Sequence, residues 1–186
     1  MKFLIAGLGN IGAEYAFTRH NVGFMVLDRL AAQNEATFKL DKQAYVCEIK
    51  HKSHQIVLIK PTTYMNLSGK AVNYWLQNQK IPVENFLTIC DDLALPFGKL
   101  RMKPKGSHGG QNGLRHIEET LKSSEYGRLR FGIGDHYIRG RQAEYVLGKF
   151  DDEEMQLLIE RLDKAGDMVL SFCAIGIERT MNFFNE

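Results

Sequence analysis

Cysteine is scarce in this chain, and the little there is does not pair. Cys47, Cys90 and Cys173 lie far apart, with no CxxC among them. An odd number at such spacing offers neither a disulfide framework nor a zinc cluster, so the thiols are expected to stay reduced, in a cytoplasmic setting. Long apolar runs are absent as well. The opening MKFLIAGLGN is apolar over too short a stretch for a signal peptide. Nowhere does the chain approach the about 20 apolar residues that a membrane span needs, so no membrane partner is expected. Repeats, low-complexity tracts and an interdomain linker are also missing. Nor is there a large net charge: the formal value is +2, which excludes a polycation.

What is present is ordinary globular material. The chain has 186 residues, 44% hydrophobic and 25% charged, enough to bury a core within one domain spanning 1–186. Its charge is unevenly spread. Between Lys99 and Arg141 ten Lys and Arg face four acids, which predicts a polyanionic partner met on one face. A solvated surface is the bland alternative at comparable weight.

The hydropathy pattern alternates strands with helices. Short apolar runs over Lys2–Leu8 and Phe86–Asp91 predict buried strands, and Ala44–Lys50 and Gln55–Lys60 predict two more around the turn His51–His54. Lys99–Lys103 and Arg128–Gly134 alternate basic with apolar residues, as half-buried strands do. Helical spacing appears over Asn21–Ala32, Leu67–Gln79, from Pro104–Gly113 on to about Lys122, and after Asp151, where Asp151–Asp152–Glu153–Glu154 suits the positive end of a helix dipole. A further short helix ends the chain. The expected architecture is α/β: a mostly parallel, mixed, twisted sheet with helices on both faces.

Gly7–Gly12 reads GLGNIG, the dinucleotide-binding pattern GxGxxG, after a strand. The fingerprint requires a helix to start at its last glycine, so that the N-terminus holds a pyrophosphate. Here AEYAFTR intervenes, and no clear ribose-binding acid follows. The glycines are therefore read as a tight strand-to-loop turn, with Asn10 and His20 as its functional side chains. In such a sheet the loops after the carboxyl ends of the strands share one rim. That rim would gather Asn10, His20, the segment Pro61–Asn66, Asp91–Asp92, and His108 and Asn112 before a helix. A histidine, a carboxylate and three asparagines there suit a general base, its orienting acid and amide donors to an oxyanion.

Five segments, GLGNIG, YAFTRHNVGF, KPTTYMNLSG, DDLALPFGKLR and GGQNGL, resemble the bacterial peptidyl-tRNA hydrolase family in order and spacing, over essentially the whole chain. The resemblance implies an enzyme that cleaves the ester between peptide and tRNA and so recycles the tRNA; a monomer is expected, and, with no ligand cluster in the sequence, no metal or cofactor. It places the catalytic histidine at His20, its supporting aspartate at Asp91, and substrate-positioning asparagines at Asn10, Asn66 and Asn112. Tyr15 and Met65 fall on residues lining the peptide end, with Tyr64 beside them. The basic residues Arg101, Lys103, Lys105, Arg128 and Arg130 would meet tRNA phosphates. Three positions depart from the family pattern: Ile11 replaces a common proline, Ala94 a frequent acid, and Gln111 a frequent histidine. Asn10 and Asn66 remain equal candidates for the oxyanion donor.

Other readings remain open. Asp91–Asp92 suits a magnesium site, though no third carboxylate is evident. Cys90 beside Asp91 suggests a Cys–His nucleophile, but strand alternation would turn it away if Asp91 faces His20. Gly106–Gly113 lacks the lysine–serine ending of a nucleotide-binding P-loop. A nicotinamide oxidoreductase and a non-catalytic RNA-binding module are the competing function classes.

Overall fold

The computed structural model describes residues 1–186. Seven strands form one sheet: β1 (Lys2–Gly7), β2 (Lys39–Asp41), β3 (Ala44–His51), β4 (His54–Pro61), β5 (Phe86–Asp92), β6 (Leu100–Lys103) and β7 (Gly127–Gly132). Their order is β2-β3-β4-β1-β5-β7-β6. The central four, β4, β1, β5 and β7, run parallel, and the outer pairings are antiparallel. Antiparallel strands at both edges of a parallel centre make the sheet mixed, as the hydropathy pattern implies.

Six α-helices complete the chain: α1 (Val22–Gln33), α2 (Ser68–Asn78), α3 (Asn112–Leu121), α4 (Gln142–Val146), α5 (Asp152–Ile175) and α6 (Ile177–Phe184). Alternation along the strands sorts two cores. Phe3 and Ile5 of β1 and Leu87 and Ile89 of β5 pack with α1 and α5 on one face. Leu4 and Ala6, with Phe86 and Cys90, pack with α2 and α3 on the other. Strands buried on both faces read as unbroken apolar runs, which is why β1 and β5 are legible in the sequence. The start of α5 carries a capping box, with Asp151 accepting from the Glu154 amide at 2.8 Å and Glu154 from the Asp151 amide at 3.0 Å.

The glycines of GLGNIG serve more than a turn. A Cβ on Gly7 would stand 2.3 Å from the Gly23 carbonyl oxygen, and one on Gly23 would stand 2.5 Å from the Ile89 oxygen. The first turn of α1 therefore lies directly against the ends of β1 and β5. Only Gly12, at φ +113°, uses the conformational freedom of glycine. The helix begins ten residues beyond Gly12, at Val22, so it does not start at the last glycine as the dinucleotide fingerprint requires.

Candidate active site

Because β4, β1 and β5 run parallel, their carboxyl ends open on one rim. The loop after β1 carries Asn10, the 3-10 turn before α1 carries His20, the loop after β4 carries Met65 and Asn66, and β5 carries Asp91. All five, with Asn112 from the start of α3, line one open cleft of ≈ 560 Å³. The far wall comes from α4 and the residue after it, through Gln142, Ala143, Val146 and Leu147. That wall is absent from the sequence reading.

His20 and Asp91 meet at the floor of the cleft. The imidazole Nδ1–H donates to Asp91 Oδ2 at 2.8 Å, and the side chains are 12% and 3% exposed. Nδ1 is thereby the protonated nitrogen of the neutral ring, and the lone pair lies on Nε2. Burial pushes the histidine pKa down. The Asp91 charge and the hydrogen bond to it push it up and together prevail, leaving it above the ordinary value.

The other oxygen of Asp91 is held as well. Gln111 Nε2 donates to Asp91 Oδ1 at 3.0 Å, while Gln111 Oε1 accepts from the Leu114 amide at 2.9 Å and caps α3. The residue that departs from the family pattern thus joins the helix to the carboxylate. The sequence places it next to Asn112 but says nothing of this bridge.

Asn10 is clamped from three directions. Asn21 accepts from the Asn10 amide and donates to its carbonyl, both at 2.8 Å. Asn10 Oδ1 accepts from the Met65 amide at 2.7 Å, which turns its Nδ2 away from Met65. Asn21 is buried, and the sole sequence signal for its role is an asparagine at an expected helix start. Met65 is buried beneath the cleft, Asn66 and Asn112 are exposed on its rim, and Tyr64 is exposed with its backbone at φ 62°. A bulky residue with positive φ stores strain of about 1–3 kcal/mol, usually at a functional segment. Tyr15 meets Tyr64 edge to face at 6.4 Å, outside the cleft lining.

Arg19, next to His20, ties the wall to the turn that carries His20. Its guanidinium lies 4.1 Å over the Tyr145 ring, donates to the Tyr145 carbonyl at 3.2 Å, and pairs with Glu154 at 3.2 Å. The Arg19 amide also donates to the Gly148 carbonyl at 2.9 Å.

The basic stretch divides. Lys103 and Lys105 are exposed. Arg101 is partly exposed and donates to the Glu186 main-chain oxygen at 2.9 Å. Arg130 donates to the Ser107 carbonyl at 2.7 Å and lies 3.8 Å from Asp92. Arg128 corrects the expectation of a phosphate contact, because it is fully buried. It stacks 4.2 Å over Tyr126 and donates to the carbonyls of Gly106, Ser124 and Tyr126. Alternation along β7 identifies the face shared by Arg128 and Arg130. It gives no sign that the 104–111 loop covers that face. Accordingly, Arg128→Met lowers stability by about 2–3 kcal/mol, the cost of leaving buried carbonyls unpaired, as read from chemical denaturation. The same change leaves the salt dependence of substrate binding as it was. Lys103→Glu or Lys105→Glu is expected to do the reverse, with KM for full-length substrate rising and the log–log salt slope falling by about one unit. Equal slopes in the lysine variants and wild type would remove these residues from the phosphate-binding face.

The carboxylates of Asp91 and Asp92 have separate partners, since Asp92 Oδ1 accepts from the Ala94 amide at 2.8 Å. Cys90 lies in the second core with its thiol pushed up to about 12, chiefly by burial. No helix is long and apolar enough to cross a membrane.

The fold and the sequence both match known proteins. The profile of the family described as peptidyl-tRNA hydrolase matches residues 4–186. A peptidyl-tRNA hydrolase from Cytophaga hutchinsonii is 57% identical over 185 residues, covering 100% of this chain and 98% of the relative. One from Bacteroides fragilis is 54% identical over 186 residues, covering 100% of both. The crystal structure of peptidyl-tRNA hydrolase from Acinetobacter baumannii superposes with a TM-score of 0.92 at 36% identity, covering 98% of this chain and 94% of that one. With the sequence match running from one end of the sheet to the other and the same fold in a solved relative, this chain belongs to the peptidyl-tRNA hydrolase family.

Proposed function

We propose that this enzyme hydrolyses the ester between peptide and tRNA with a water molecule activated by His20, recycling tRNA from stalled or aborted translation. The observation that carries the reading is the 2.8 Å His20–Asp91 pair, which leaves Nε2 unpartnered at the cleft. An aminoacyl ester is already activated, so no covalent enzyme nucleophile is needed. Nε2 takes a proton from water as its oxygen attacks the carbonyl. Asp91 holds the tautomer and stabilises the imidazolium. Collapse of the tetrahedral intermediate expels the ribose oxygen, which receives that proton from Nε2, and the peptide leaves as an acid.

Asn10 is the favoured oxyanion donor over Asn66, because the Met65 amide fixes which end of its side chain is the N–H end. Asn66 and Asn112, exposed on the rim, position the substrate, and Met65, Tyr64 and Tyr15 line its peptide end. Lys103 and Lys105, with Arg101 and Arg130 beside them, meet tRNA phosphates. The three free, buried cysteines suit a cytosolic setting.

The test is release of N-acetyl amino acid from N-acetyl-aminoacyl-tRNA by purified protein in EDTA. Hydrolysis is expected to persist at the untreated rate, and also in Cys90→Ala, whose thiol belongs to the core. Loss on chelation with recovery on adding zinc or magnesium would overturn the metal-free mechanism. Loss in Cys90→Ala with the fold intact would restore the thiol as a candidate nucleophile.

A further inference from the structure

A second cavity of ≈ 430 Å³ adjoins the cleft, and Asn10 lines both. It is walled by Ile11 and Phe17 of the loop after β1, Phe24 and Met25 of α1, and Tyr45 of β3. We propose that this cavity is a subsite for an apolar side chain of the substrate's peptide, upstream of the esterified residue. The inference rests on the hydrolase reading of the neighbouring cleft.

Sheet order gives the direction. The exposed lysines belong to β6 and the segment after it, at one edge of the sheet. The His20–Asp91 pair stands over β1 and β5 at the centre. The second cavity stands over β4 and β3, on the far side of Asn10. A substrate whose nucleotide part lies toward β6 and whose ester lies at His20 must send its peptide toward β4. The cavity meets the chain there.

The lining gives the chemistry. Its one cation, Lys60, is already satisfied: the ammonium pairs with Asp28 at 2.5 Å and lies 4.4 Å from the centre of the Phe38 ring. The pair is neutral as a unit, and most of the remaining wall is apolar, so a charged guest gains nothing. Phe17 points to the same use. It is 64% exposed and sits at φ 66°, so the chain keeps a large apolar ring in water on a strained backbone. An apolar guest would cover that ring and the space beside it. Asn21, whose amide clasps the Asn10 backbone, lines the second cavity and holds in place the residue that the two cavities share.

The experiment compares kcat/KM across a set of substrates on one tRNA. One is N-acetyl-aminoacyl-tRNA, which carries a single residue. The others are N-acetyl-peptidyl-tRNAs with phenylalanine or aspartate one, two or three residues upstream. Wild type is expected to favour phenylalanine at one of these positions by about ten-fold over both aspartate and the single-residue substrate, the scale of burying an apolar side chain in part. Phe17→Asn, which tolerates the left-handed backbone, is expected to bring that ratio close to one. Tyr45→Ser, on the opposite wall, is expected to lower it as well. A wild-type ratio near one at all three positions, a preference for aspartate, or a ratio unchanged in both variants would overturn the subsite. Failure of wild type to hydrolyse the single-residue substrate would instead overturn the activity itself.

Discussion

His20→Ala is expected to lose turnover by a factor of about 100 to 10,000 while still binding peptidyl-tRNA, because removing a general base typically costs that much. The loss belongs in kcat, since the exposed lysines and the asparagines around the cleft remain in place to bind substrate. The imidazole is mostly enclosed, and its removal leaves Asp91 buried with one oxygen still held by Gln111. Some loss of stability is therefore expected alongside, and a denaturation curve on the same preparation separates folding from chemistry. Hydrolysis of N-acetyl-aminoacyl-tRNA by the folded variant at near wild-type rate would show that another group takes the proton.

Asp91→Asn is expected to slow the reaction almost as much, and for a reason that the hydrogen-bond network decides. Gln111 Nε2 is a donor and needs an acceptor at the position of Asp91 Oδ1. The introduced amide therefore turns its oxygen toward Gln111 and its NH2 toward His20 Nδ1. Nδ1 must then accept, the ring proton moves to Nε2, and the lone pair that would take the water proton is lost. Residual activity is expected from the remaining donors and the binding groups.

The pH profile carries an independent signature. With neutral imidazole as the proposed base, the acid limb of kcat/KM is expected to inflect at the His20 pKa. In wild type that lies above the ordinary value of about 6.5, because the Asp91 contributions exceed the lowering by burial. Removing the charge leaves burial as the main influence, and the inflection is expected to move to lower pH. The same linkage governs stability. The raised pKa contributes stability that is fully present below the unfolded value and fades as pH rises through the folded one. Asp92→Asn is expected to shift neither rate nor inflection, since its carboxylate accepts from the Ala94 amide and lies 3.8 Å from Arg130. An unmoved inflection in Asp91→Asn, or a larger defect in Asp92→Asn, would assign the orienting role to the wrong carboxylate.

The meeting of His20 and Asp91 was legible in the sequence because two local signals converge. A short apolar run ending in Asp91 marks a central strand, and parallel strands deliver their following loops to one rim. Alternation along that strand also placed Cys90 in the core. Arg128 shows where such reading stops. It sits among basic residues of one alternating segment, and burial on its face depends on a loop that reaches it from elsewhere in the chain. Two elements left no periodic signal to find. β2 is three residues long and wholly exposed, and α4 is five residues long with none buried, so neither carries an apolar stripe.

Local order and chemistry thus came from the sequence itself: buried strands from apolar runs, helices from their spacing, the α/β class from the alternation of both, and the histidine, carboxylate and asparagines from five matching segments. The tertiary structure alone decided which atoms meet. The Gln111 bridge to Asp91, the Asn21 clasp on Asn10, the Arg19 tether to the α4 wall and the enclosure of Arg128 all join residues through hydrogen bonds between separate elements. Such bonds depend on side-chain direction and on what packs above. Neither is set by neighbours in sequence, because each is fixed only when strands and helices close around a common core.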